Sequence, residues 1–241
     1  MNPGEAGSMK REARKEISVH DIPQLREQTG VFRDRKHAGQ VLATMLAAWK
    51  GGKAMVFAIP SGGVPVGMEI AGSLALSFDV AVVSKILLPW DTEAGFGAVG
   101  FDGSVWINEE YAAYYGLDKQ TIEQQTRAAM AKVQRRVKLF RGDRQWPDLA
   151  NRAVILVDDG IAAGSTMRVA LAALRNAGAG KILVAVPTAH QDSLGQITKS
   201  VDELYCPNIR SGRQFAVAAA YRLWDDVDEA EALRLVRFLI K

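Results

Sequence analysis

Residues 153–167 read AVILVDDGIAAGSTM. Ala153 to Val157 form an unbroken apolar run too short for a helix, the pattern of a strand buried on both faces of a parallel sheet. Asp158 and Asp159 then stand at the carboxyl end of that strand, where open α/β sheets place their ligands. The chain turns through Gly160-Ile161-Ala162-Ala163-Gly164 and enters a helix at Ser165-Thr166, with Val169, Ala173, Leu174 and Ala177 on one face and Gly178 as its stop. A short loop feeding a helix start suits an anion, because free N–H groups and the helix dipole converge there. The two acids repel an anion. A ligand that satisfies both carries a phosphate at one end and hydroxyls, with or without a metal, at the other, as a ribose phosphate does.

An apolar strand, two acids and a small-residue loop ending in Gly-x-Thr closely resemble the signature of the type I phosphoribosyltransferases. The resemblance implies that Asp158 and Asp159 hold the ribose hydroxyls of phosphoribosyl pyrophosphate (PRPP). It makes Ala162, Ala163, Gly164, Ser165 and Thr166 the cradle of the phosphate monoester.

A second unit of the same form lies upstream. Met55 to Ile59 reads as a strand, Pro60-Ser61-Gly62-Gly63 as a turn, and Val64 to Leu76 as a helix. The family binds pyrophosphate here, which assigns Ser61, Gly62 and Gly63 to that group. Similar sequences carry Pro-Arg-Gly-Gly, so Ser61 replaces a fork-shaped cation. Phe78 to Ser84 reads as the next strand, and Lys85 at its end is either a solvated lysine or, as the resemblance implies, a pyrophosphate contact and third catalytic group beside the two acids. Ser84 stands where relatives often carry another arginine, so two cations are expected to be missing. Residues 86–103, with four glycines and no clear period, read as a long loop, either a functional lid or disordered; the resemblance implies the flexible lid, in which Asp91 and Glu93 are solvated charges or assist proton transfer.

The 241 residues, 48% apolar, suffice for one full core. Thirty basic and 27 acidic residues give a net charge of +3, a balance that does not point to nucleic acid. No stretch has the apolar length of a membrane span or the form of a secretory signal, which implies a cytoplasmic protein. A single cysteine, Cys206, excludes an internal disulfide. Residues 1–30 are expected to be a mobile extension, and 31–241 one domain. Arg33 and Arg35 pair either with nearby acids or with ligand. A helix from Asp118 to Phe140 carries Arg127, Lys132, Arg135, Arg136 and Lys138, read as a solvated basic surface. His190 caps a helix or lies on the surface.

Alternating units give an α/β fold, a parallel sheet flanked by helices, with a small C-terminal hood and a flexible lid loop. In the hood, which resembles the family's cover for the acceptor base, Tyr221 and Trp224 either stack on a planar ring or pack in the core. The resemblance spans about Val31 to Asp228. It implies transfer of the phosphoribosyl group of PRPP to a nitrogenous acceptor with release of pyrophosphate. Magnesium would be held mainly through PRPP, and a homodimer is compatible with it. Ala162 stands where members acting on 6-oxopurines carry an acid, which argues against that group, and Ala163-Gly164 resembles the loop of orotate enzymes more closely, which points to a pyrimidine or an unusual acceptor. A non-catalytic regulator that binds PRPP or a nucleotide is the alternative.

Overall fold

The computed structural model describes residues 17–239. In chain order, the strands are β1 (Ser18–His20), β2 (Met55–Ala58), β3 (Ser77–Val80), β4 (Val83–Leu87), β5 (Gly95–Gly100), β6 (Val105–Ile107), β7 (Ala153–Val157), β8 (Lys181–Ala185), β9 (Thr188–His190), β10 (Glu203–Tyr205) and β11 (Asn208–Arg210). The α-helices are α1 (Arg35–Met45), α2 (Gly63–Leu74), α3 (Glu109–Tyr114), α4 (Lys119–Arg141), α5 (Ser165–Asn176), α6 (Gln191–Ile197) and α7 (Glu229–Leu239).

The main sheet runs β1-β10-β8-β7-β2-β3, and every pairing in it is parallel. Alternation along β7 explains its continuous apolar run. Val154 and Leu156 enter a core with Met167, Leu171 and Leu174 of α5, whereas Ile155 and Val157 enter one with residues of α1, α2, α4 and α7. Covered on both faces, the strand has no polar side, and full burial of each such side chain contributes roughly 1.5–3 kcal/mol.

From β2 the chain moves outward to β3; from β7 it moves the other way, to β8 and β10. The direction of winding therefore reverses between β2 and β7, and such a switch point opens a crevice at the strands' carboxyl ends. Ala58 pairs with Val157, so the turn after β2 and the two acids after β7 emerge side by side.

The structure corrects three expectations. The run 78–84 is two strands: β3 ends at Val80, and β4 pairs antiparallel with β5 in a separate three-stranded sheet. The stretch 86–103 is not one loop, since Gly95–Gly100 is strand β5, closed by β6. Residues 17–30 do not stand apart from the domain. β1 is the edge strand of the main sheet, and His20 stacks on Tyr205 at 4.3 Å between centroids. The expectation for residues 1–16 lies outside the described residues. Among the described residues, no helix is long and apolar enough to cross a membrane.

Candidate active site

The switch point holds a cleft of about 480 Å³ lined by Asp158, Asp159, the loop Gly160 to Thr166, Lys85 and Pro60, with Lys132 and Arg136 of α4. The sequence places all but the last two there. Loop geometry follows from the residues. Gly164 adopts φ +78° as the N-cap of α5, a conformation costly for other residues, and no side chain caps the helix. Among the described residues, no side chain caps the first N–H groups of this twelve-residue helix, whose start lines the cleft. Ser193 Oγ donates to the Ala162 carbonyl and ties the loop to α6.

The two acids differ in surroundings. Asp158 Oδ1 accepts from the Asp159 N–H at 2.9 Å. Its pKa is pushed well above the usual carboxylate range, first by burial and then by the charge of Asp159. Burial also raises the pKa of Asp159, but the Arg35 guanidinium opposes this. Arg35 Nε donates to Asp159 Oδ2 at 2.9 Å, and its Nη1 donates to the Asp225 carbonyl at 2.6 Å. Its guanidinium lies 3.8 Å from the centre of the Trp224 ring. Of the two arginines at the start of α1, Arg33 is the exposed one, and Arg35 positions an acid of the cleft.

Tyr221 is buried, and its hydroxyl donates to the Asp159 carbonyl at 2.6 Å. It bridges to Phe32, so the C-terminal cover is built jointly with the segment before α1. Neither Tyr221 nor Trp224 lines the cleft in this structure. Their contacts support Asp159 through its main chain and through Arg35.

Ser61, Gly62 and Gly63 lie directly behind the cleft. A Cβ built on Gly62 would fall into the Asp159 carboxylate, so the two loops interlock at that point. Ser61 Oγ accepts from Arg136 Nη2 at 3.2 Å. Lys85 is mid-strand in β4, not at the end of a parallel strand, yet it reaches the cleft and donates to the Glu93 carbonyl at 3.2 Å. Ser84 is buried. Asp91 caps the β4–β5 turn by accepting from the N–H groups of Glu93 and Ala94, and these bonds lower its pKa. His190 caps α6 by accepting from Asp192 N–H at 3.3 Å.

Sequence reading misses two cations of the cleft, Lys132 and Arg136, and gives Arg35 no specific partner. Arg136 is buried although it belongs to a strongly basic helix, and the one available signal is its spacing. Val133, Arg136 and Phe140 fall on one face of α4, so this arginine lies on the inward stripe.

Fold and cleft together define an α/β protein whose candidate ligand site joins a phosphate-suited helix start to paired carboxylates at a topological switch point. The chain belongs to the phosphoribosyl transferase family. The family model described as "Phosphoribosyl transferase domain" matches residues 113–220, which include β7, both acids and the loop. The chain is similar to "Putative phosphoribosyl transferase Rv0571c" of Mycobacterium tuberculosis H37Rv, with 36% identity over 203 residues, 84% of this chain and 46% of the relative. The corresponding protein of strain CDC 1551 gives the same values. The chain thus spans about half the length of the curated relatives it matches. The crystal structure of TT1426 from Thermus thermophilus is 30% identical, with a TM-score of 0.69, and the match covers 86% of this chain and 98% of that one.

Proposed function

We propose that the protein transfers the phosphoribosyl group of PRPP to a nitrogenous acceptor with release of pyrophosphate. The observation that carries this reading is the meeting, in one cleft, of two recessed carboxylates and a helix start with no side-chain cap. Carboxylates accept hydrogen bonds from vicinal hydroxyls, and the helix start receives the phosphate monoester. Between them the sugar is fixed with its anomeric carbon toward the turn Pro60 to Gly63. As the bond from that carbon to pyrophosphate breaks, the ring gains positive charge. Asp158 and Asp159 stabilise it electrostatically, and Lys85 stabilises the departing anion. The acceptor nitrogen forms the new bond and gives up its proton.

Magnesium is compatible with these residues. It is commonly bound through one or two carboxylates together with substrate phosphates, and Asp158 and Asp159 offer that donor type. Among the described residues, no three His, Cys, Asp or Glu side chains gather into a metal-ligand set. The ion would therefore come with PRPP, whose pyrophosphate charge it neutralises. The reading carries with it cytoplasmic residence and leaves room for a homodimer.

Calorimetry with PRPP and magnesium tests the proposal, followed by detection of pyrophosphate against a panel of bases. Saturable binding that is lost in the Asp158→Asn, Asp159→Asn double variant, with pyrophosphate released on adding an acceptor, is expected. Absence of PRPP binding, or binding indifferent to the double substitution, overturns it. The engagement of Asp159 by Arg35 and the serine at position 61 favour a second reading, a PRPP-binding regulator. Tight PRPP binding with no turnover across the panel would select it.

A further inference from the structure

Helix α4 brings two cations to the cleft from outside both ligand loops. Lys132 and Arg136 are one turn apart on it, and both line the cleft. Residues at i and i+4 share a helix face, so their charges act together. Lys132 is exposed, but the Arg136 side chain is only 9% exposed. Its guanidinium is fixed in three directions: Nε to Glu229 Oε2 at 2.9 Å, Nη1 to the Val83 carbonyl at 3.4 Å, and Nη2 to Ser61 Oγ at 3.2 Å. A guanidinium has five N–H donors, so this fixation leaves donors for a ligand.

The charge does not close within the protein. Arg135 makes a two-pronged contact with Glu229 at 2.7 and 2.9 Å, and Arg136 uses the same carboxylate. Two guanidinium groups sharing one carboxylate leave a positive charge beside the turn Pro60 to Gly63, and Lys132 adds another. That turn begins α2, a twelve-residue helix whose N-cap, Gly62, makes no side-chain cap bond, so its dipole adds to the same field.

We propose that Arg136, supported by Lys132, is the cation that receives the pyrophosphate group, supplying from α4 the charge absent at Ser61. The assignment rests on the PRPP reading and deepens it. Position 61 and Arg136 are alternatives in space as well as charge. The Ser61 hydroxyl already touches the guanidinium, so an arginine at 61 would meet a like charge in the same place. Ser61 is then the residue that admits Arg136 to the site, and the pyrophosphate side of the cleft has its cations.

The full chain is titrated calorimetrically with magnesium pyrophosphate and, separately, with ribose 5-phosphate, which engages only the sugar side. Arg136→Ala is expected to weaken pyrophosphate binding by about tenfold to a hundredfold while ribose 5-phosphate stays within about twofold, the range for loss of charge-assisted hydrogen bonds. Lys132→Ala, at an exposed position, should give a smaller loss in the same direction. Two further variants separate charge from structure. Ser61→Arg in the Arg136→Ala background should recover pyrophosphate binding. Glu229→Gln, which removes the partner's charge and keeps the cation, should retain it. Wild-type binding of pyrophosphate that Arg136→Ala leaves unchanged overturns the assignment alone. So does an equal loss of both ligands that Ser61→Arg does not repair. Binding of neither PRPP nor pyrophosphate by the wild type overturns the PRPP reading and the assignment with it.

Discussion

Asp158 is held in its place at the expense of the fold, a cost that its proposed ligand role would account for. Burial makes its charged form costly, and the neighbouring Asp159 adds repulsion, so its folded pKa lies above the unfolded value of about 4. The linkage sign follows. Its stabilising contribution is complete below the unfolded pKa and is lost as pH rises through the folded pKa. Asp158→Asn keeps an oxygen for the Asp159 N–H and removes the charge. At neutral pH it is expected to raise the thermal midpoint, while PRPP binding falls. The same scan at acid pH should show the gain shrinking; a lower midpoint at neutral pH would mean that the charge is not costly. The two acids and the loop were legible in the sequence because they are contiguous and follow a strand. The roles of Arg35 and Arg136 were not, because each acts on a partner that only the fold brings near, and a helix period reports an inward face without naming what lies opposite.

Among the elements, β5 was hidden by its glycines. Sequence patterns treat Gly95, Gly97 and Gly100 as loop formers, since glycine weakens a strand and adds no apolar signal. In the structure they permit close packing. A Cβ on Gly97 would collide with the Trp106 carbonyl of β6, and one on Gly100 would meet Val169 of α5 at 2.8 Å. Gly97→Ala is therefore expected to destabilise the protein by about 1–3 kcal/mol, the usual cost of overpacking a tight site, as measured by urea unfolding. An unchanged midpoint would indicate that β5 and β6 can separate without loss. The split of 78–84 into β3 and β4 was equally unreadable. Leu76 to Val83 is almost continuously apolar, and no glycine or proline marks the corner where the chain leaves the main sheet. By contrast, α4 and β7 were legible nearly to their ends, α4 by its helical period and β7 by an unbroken apolar run that stops at two acids.

At the scale of the whole molecule, the parallel sheet and its flanking helices follow from the alternation of strand and helix patterns, whereas the C-terminal hood was legible only through the family resemblance. The edge strand was missed because Ser18–His20 is short, polar and exposed, and its place depends on β10, near the other end of the chain. Removing residues 1–20 should uncover the β10 edge and break the His20–Tyr205 stack. A loss of about 1–2 kcal/mol is expected, together with concentration-dependent light scattering from the bare edge. A truncated chain as stable and as monodisperse as the original would show that β1 adds nothing to the sheet. The meeting of Gly62 with the Asp159 carboxylate reaches furthest. Two loops distant in the chain share one small volume, so neither can change alone. Any lineage that enlarges residue 62 must, in the same stretch of its history, withdraw the carboxylate at 159. Drift in one loop would be recorded as a paired substitution in the other.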